Sequence, residues 1–250
     1  MISLKKIEKN LISSKKSLGQ NFLIDKNIRE KILSKIKIKN QVILEIGPGK
    51  GFLTESIIDK KPKKIILIEK DINLYNALKL KYENHENITL YNTDILDFNI
   101  STLKKINIIS NLPYNISVKV LLNIYKNNKN INECILMIQK EVADKFNYKK
   151  QKINKYKFLT EVFCNYEKCF DVPSTVFKPQ PKVKSSVIKI NLLKSKIDYE
   201  KITNFSNLIF NKKRKKLSNV LNLNLTKEKL MDKRVEELKF KELLFLYQSF

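Results

Sequence analysis

The sequence predicts an α/β fold: a doubly wound, mostly parallel sheet covered by helices, followed by a small all-α domain. Three observations carry this. Short Ile/Leu/Val-rich runs recur at Val42–Ile46, Ile65–Glu69, Ile88–Asn92, Ile106–Ser110 and Cys134–Gln139, with helix-like stretches between them. All four glycines lie between residues 19 and 51, and three of them follow directly on the first of those runs. After about residue 193 the β-like runs stop and apolar residues recur at helical spacing.

Unbroken apolar runs separated by helical segments are the signature of strands buried on both faces of a parallel sheet. Two later runs, Lys168–Val172 and Val187–Ile190, have no long helix between them and are expected to form a closing hairpin. Beyond them, Ile202, Phe205, Leu208 and Ile209 share one helical face. Leu217, Val220 and Leu221, then Leu238, Leu243, Leu244 and Leu246, continue the pattern. The expected division is therefore residues 1–192, a sheet domain with a basic N-terminal arm, and residues 193–250, a small helical domain.

Composition narrows the function classes. Fifty Lys+Arg against 25 Asp+Glu give a net charge of +25, a surplus suited to a polyanionic partner. Only Arg29, Arg214 and Arg234 are arginines, so a coding bias toward lysine is a competing source of that charge. The densest basic run is Lys212-Lys213-Arg214-Lys215-Lys216, between two apolar helical stretches. It is either an RNA-backbone contact or a solvated helix face. Cys134, Cys164 and Cys169 form no CxxC pair and His85 is the only histidine, which excludes a Cys/His zinc site; no metal is expected. No stretch reaches the roughly 20 apolar residues of a membrane span. Met1–Ser17 is Lys- and Ser-rich without a long apolar run, so it does not resemble a secretory signal; an RNA-contacting arm is the expectation, with a short organellar presequence as the alternative. A soluble, cytoplasmic protein is the expectation.

The glycine cluster reads Glu45-Ile46-Gly47-Pro48-Gly49-Lys50-Gly51. A dinucleotide fingerprint requires Gly or Ala where Phe52 stands, and a Walker loop requires Ser or Thr where Gly51 stands. A strand followed by E-x-G-x-G-x-G remains, the pattern of S-adenosylmethionine-dependent methyltransferases and hence of a Rossmann-like class I fold. That cofactor carries no phosphates, so its loop needs close backbone approach rather than a lysine cradle. The next strand ends in Glu69, a candidate acceptor for both ribose hydroxyls, with Asp71 as competitor. The third is followed by Asp94, a candidate acceptor for the cofactor's adenine amine. Each acid alone is a common loop charge. Successive placement at strand ends, where open α/β sheets bind ligands, is what points to a site.

The fourth strand runs into Asn111-Leu112-Pro113-Tyr114. The lone pair of an adenine N6 amine is delocalised into the ring, which makes it a poor nucleophile. Two acceptors, the Asn111 side-chain oxygen and a main-chain carbonyl at Leu112 or Pro113, can hold its hydrogens and favour a pyramidal nitrogen. Proline fixes the backbone, and Tyr114 can stack on an extruded base. No dedicated general base is needed, because the methylated amine is strongly acidic. Alone, the tetrapeptide is an ordinary Asn-x-Pro turn; after the glycine motif it is a catalytic candidate.

Together these residues resemble the KsgA family of ribosomal RNA adenine dimethyltransferases. Lys16-Ser17-Leu18-Gly19-Gln20-Asn21-Phe22-Leu23 is similar to that family's N-terminal motif, and Glu45–Gly51, Glu69, Asp94 and Asn111–Ser117 follow in its order. Gln139-Lys140-Glu141-Val142, Val172-Pro173 through Phe177-Lys178-Pro179-Gln180-Pro181-Lys182-Val183, Phe210–Lys215 and Arg234–Leu238 extend the match. The resemblance implies that Asn21 and Leu23 line the cofactor site with Gly47, Gly49, Glu69, Asp94 and Asn111. It also implies that Phe177 stacks on the base face opposite Tyr114, where a core phenylalanine is the alternative. The implied substrate is small-subunit ribosomal RNA in an immature small ribosomal subunit, doubly methylated on two adjacent adenosines near its 3′ end; oligomeric state is left open by the sequence, with a monomer as the default. Two other readings stay open: the Erm type, which modifies large-subunit RNA, and an assembly factor with incidental turnover. Tyr156-Lys157-Phe158-Leu159 departs from the Tyr-Gly-Arg-like segment usual in relatives, a departure that bears on local helix packing or an RNA contact there and not on the methyl transfer.

Overall fold

The computed structural model describes residues 20–149, 152–221 and 228–250. The basic arm and the first part of the N-terminal motif, Lys16 to Gly19, lie outside the described residues. Seven strands form one sheet: β2 (Val42–Ile46), β3 (Lys64–Ile68), β4 (Ile88–Tyr91), β5 (Ile106–Asn111), β6 (Ile131–Gln139), β7 (Cys164–Val172) and β9 (Ser185–Leu192). Their spatial order is β4-β3-β2-β5-β6-β9-β7. The first five are parallel, and β9 is antiparallel to both β6 and β7. The expected parallel sheet with a closing hairpin is present. A second, two-stranded sheet pairs β1 (Phe22–Leu23) with β8 (Phe177–Lys178).

Strand length is where sequence and structure differ. β7 and β9 run for nine and eight residues, longer than the apolar runs suggest. In β7, Cys164 and Tyr166 face inward while Asn165 and Glu167 are exposed, the alternation of an edge strand with one solvated face. The polar half of that alternation hides the strand from a search for unbroken runs.

Helices α1 (Lys26–Leu33), α2 (Phe52–Ile58), α3 (Ile72–Lys81), α4 (Ser117–Lys126), α5 (Lys140–Phe146) and α6 (Lys155–Phe163) cover the sheet. Several begin on side-chain caps that satisfy orphan amides. Asp25 accepts from the Ile28 amide (2.9 Å), Asp71 from Asn73 (3.0 Å) and Asn154 from Tyr156 and Lys157. Asp71, the competitor to Glu69, is thus committed to starting α3.

Past β9 come α7 (Tyr199–Asn211), α8 (Glu228–Met231) and α9 (Phe240–Gln248), with single 3-10 turns at Leu217–Asn219 and Val235–Glu237. The hydrophobic cluster under the sheet passes into these helices without a break: Tyr125, Phe158 and Phe163 share it with Phe205, Leu217 and Leu243. The departing segment Tyr156–Leu159 lies in α6 inside this cluster. Phe158 and Leu159 are fully buried, and Lys157 donates its ammonium to the Lys152 carbonyl (2.8 Å). Its role in the fold is packing.

Candidate active site

The strand order reverses between β3 and β5 on either side of β2, so a crevice opens at the carboxyl ends of β2 and β5. Register brings the tips level. Ile46 pairs with Ile68, and Glu45 with Ile109, so the residues that follow, Gly47, Glu69 and Asn111, converge. The Ser110 hydroxyl donates to the Ile46 carbonyl (2.5 Å), tying the two central tips together. The resulting cavity is lined by every residue expected to hold cofactor: Asn21, Leu23, Gly47, Gly49, Glu69, Asp94 and Asn111. Leu112, Pro113 and Tyr114 complete its other side.

The glycine loop fits close backbone approach. Gly47 and Gly49 have φ of +64° and +60°, conformations that L side chains avoid. A Cβ on Gly49 would meet the Phe22 ring at 2.7 Å, so the loop and the N-terminal motif require each other's shape. The main-chain amide of Gly49 donates to Glu69 Oε2 (3.0 Å) and that of Asp71 to Oε1 (2.9 Å). Burial pushes the Glu69 carboxyl above its usual range, and these amides pull it part of the way back. Each carboxylate oxygen keeps a second acceptor direction for a ligand hydroxyl.

Asp94 accepts from the Leu96 amide and from the Lys70 ammonium, both at 2.9 Å. Burial pushes its carboxyl up, but these donors outweigh it and hold the group below the ordinary range. Glu45 also lines the cavity, 2 % exposed, with the Thr54 hydroxyl on Oε2 at 2.7 Å. Burial raises it to about 8, the Thr54 bond opposes the rise and nearby Glu69 adds to it. A cleft whose strand-tip acids Glu69 and Asp94 offer hydrogen-bond acceptors beside positive-φ glycines suits a ligand that presents hydroxyls and an amine and needs no phosphate cradle. The residues present therefore fit S-adenosylmethionine.

In the tetrapeptide, the Asn111 side-chain amide donates through Nδ2 to the Asn21 carbonyl (2.8 Å). That bond fixes the amide's orientation and leaves Oδ1 as an acceptor. The Pro113 carbonyl already takes the Ser117 hydroxyl (3.0 Å) and the Ile116 amide (3.3 Å). Among the described residues, the Leu112 carbonyl has no such donor on it, which makes it the better placed of the two main-chain candidates. Tyr114 is half-buried, and its hydroxyl meets that of Ser185 at 2.7 Å.

Phe177 is not at the cavity. It is 3 % exposed and packs in a cluster with Leu23, Val172 and Val187. Pairing of β8 with β1 sets Phe177 opposite Leu23, and a ring of that size gains most by turning into the apolar side. In this structure the ring packs inward and does not present a face to the cleft. The basic run Lys212–Lys216 is exposed throughout and lies in the turn after α7, remote from the cleft in sequence. The amides of Val235 and Glu236 bind the carbonyls of Lys215 and Lys213, and Lys216 pairs with Asp232 (3.0 Å).

Sequence reasoning missed several lining residues. Lys70 and Ile95 each follow a strand-tip acid directly, a positional signal that was available. Phe22 shields Gly49, but nothing local distinguishes it from a core aromatic.

A family profile described as ribosomal RNA adenine dimethylase matches residues 12–243. A ribosomal RNA small subunit methyltransferase A of Pelagibacter ubique is 41 % identical over 197 residues, covering 74 % of this chain and 74 % of that protein. The protein of the same name from Mycoplasma mobile is 43 % identical over 176 residues, covering 70 % and 68 %. Among solved structures, a dimethyladenosine transferase from Plasmodium falciparum superposes with a TM-score of 0.76 at 23 % identity, covering 91 % of this chain and 97 % of that one. The 23S rRNA methyltransferase ErmE superposes at 0.72 with 20 % identity, covering 92 % and 99 %. These two likenesses establish the class I methyltransferase fold. From the profile match and the sequence identities, the chain belongs to the ribosomal RNA adenine dimethylase family.

Proposed function

We propose that this protein is an S-adenosylmethionine-dependent methyltransferase that dimethylates N6 of two adjacent adenosines near the 3′ end of small-subunit ribosomal RNA. The observation that carries the reading is the pair of acceptors, Asn111 Oδ1 and the Leu112 carbonyl, at the mouth of a glycine-and-carboxylate cleft. When bound, the cofactor supplies a methyl group activated on a positively charged sulfonium. Gly47 and Gly49 let the backbone approach it, Glu69 accepts from its ribose hydroxyls and Asp94 from its adenine amine. Asn21 and Leu23 close the cleft from the N-terminal side. Asn111 and Leu112 hold the two hydrogens of the target amine, so that its lone pair localises and points into the cleft. Tyr114 stacks on the extruded base, an interaction typically of roughly 1–3 kcal/mol.

The substrate form is an immature small subunit, bound by a monomer in the cytoplasm. Residues 193–250 act as a helical satellite whose turn Lys212–Lys216 contacts RNA phosphates. The boundary near residue 193 is one of architecture, since the apolar core continues across it. Among the described residues no helix is long and apolar enough to cross a membrane. Incubating purified small and large subunits with methyl-labelled cofactor, followed by mass spectrometry of the RNA, tests the reading. Dimethyladenosine in small-subunit RNA is expected; label confined to large-subunit RNA overturns it.

A further inference from the structure

We propose that Ser185 is a positioning residue for base stacking: its buried hydroxyl holds the far end of the Tyr114 ring and so sets the plane against which the target adenine stacks. The proposal rests on the adenine-N6 reading above and adds a residue to it.

The geometry is specific. Tyr114 is anchored at its backbone by the loop between β5 and α4 and at its Oη by Ser185 Oγ, 2.7 Å away. Two anchors at opposite ends of an aromatic side chain restrict rotation about both of its torsions. Ser185 is itself immobilised. It is fully buried, and as the first residue of β9 it pairs with Gln139 on one side and Val172 on the other. The hydroxyl therefore reports the position of the sheet, not of a mobile loop. Ser186 points the other way, its hydroxyl on Asp171 Oδ1 (2.7 Å), so the two adjacent serines have separate partners.

Tyr114 is the aromatic side chain of the tetrapeptide and lines the cavity. A ring free to rotate still touches a base, but it samples planes in which the amine misses Asn111 and Leu112. Proximity effects of this kind fall steeply with small misplacement. Loss of the bond is thus expected to act on turnover and on base stacking, and to leave cofactor binding alone.

The test compares Ser185→Ala, Tyr114→Phe and the double variant in the full-length protein. Steady-state methylation of small-subunit RNA and cofactor affinity are measured, with the fluorescence of RNA carrying 2-aminopurine at the target position. Each single variant is expected to lose about tenfold in kcat/KM for RNA, the equivalent of one net hydrogen bond. Cofactor affinity is expected to stay at the wild-type value, and the 2-aminopurine signal to rise toward that of an unstacked base. The double variant is expected to lose no more than the worse single one, because both substitutions remove the same bond. Wild-type kcat/KM in Ser185→Ala, or losses that multiply in the double variant, overturns the proposal. Should Ser185→Ala not fold, Tyr114→Phe with wild-type activity and wild-type fluorescence overturns it. A wild-type protein that transfers no methyl group to adenosine removes the functional reading itself, a failure distinct from active wild type with active variants.

Discussion

The side of the cleft proposed to hold the cofactor is made from the carboxyl tips of β2, β3 and β4, whereas the side proposed for the base is made where the loop after β5 meets β9, 71 residues further along the chain. On the first side, each group sits within a residue or two of a parallel strand, and its partners are nearby main-chain amides: Gly49 and Asp71 on Glu69, Leu96 on Asp94. On the second, positions depend on tertiary bonds. Asn111 is oriented by the Asn21 carbonyl and Tyr114 by Ser185, and Phe177 is drawn inward by its pairing with Leu23. Parallel strand tips place ligand groups with little help. On the proposed reading, turning a base toward a methyl donor draws on contacts from separate parts of the chain.

Substitutions that separate the two sides should give distinct signatures. Asn111→Ala removes an acceptor for the target amine, and methyl transfer is expected to fall by about 100-fold or more in kcat. Cofactor affinity, measured by calorimetry, should change far less; an equal loss in both would merge the two sides.

Glu45→Gln probes the cofactor side through pH. Burial lifts this carboxyl from 4.5 to about 8 in the folded chain, so the folded state holds a proton that the unfolded state has released. Its contribution to stability is complete below the unfolded pKa and is lost as pH climbs through that window. Gln can still accept from Thr54 and carries no charge. Urea unfolding of the two proteins should agree below about pH 4 and differ by on the order of 4–5 kcal/mol in favour of the variant near about pH 9. A constant difference would mean that Glu45 is ionised throughout.

Gly49→Ala places a methyl against the Phe22 ring at a positive φ. Cofactor affinity is expected to fall about tenfold, with a stability loss on the order of 1–2 kcal/mol in thermal unfolding. Tight binding in this variant would show that the loop has room to spare. Replacing Lys212, Lys213 and Lys215 by Gln should weaken RNA binding severalfold and reduce the slope of log affinity against log salt by about two. Cofactor affinity should not move, and an unchanged salt slope takes the turn out of the interface.

The same contrast explains what was legible in the sequence. Gly47, Glu69, Asp94 and Asn111 were found because each is a chemically marked residue at the end of an apolar run, and a parallel sheet puts all such ends on one edge. β1 and β8 were not, because two-residue strands have no periodicity and pair across most of the chain. That pairing decides where the Phe177 ring goes, so the aromatic could be recognised while its direction could not. Ser185 looks like any polar strand residue until Tyr114 is placed against it. Likewise, preferring Leu112 to Pro113 as the proposed second acceptor depends on the bonds from Ser117 and Ile116 to the proline carbonyl.

The shared aromatic core has a geometric consequence. Phe158 of α6 meets Phe205 of α7 and Phe240 of α9 at ring centroid distances of 6.1 and 5.8 Å. Segments joined by a polar interface swing against one another, but segments that interdigitate in one apolar core do not. The lysine turn that follows α7 is consequently held at a set span from Asn111. If both touch one RNA, the molecule acts as a caliper: only a substrate whose phosphates and target adenine are spaced to match its jaws is gripped at both ends.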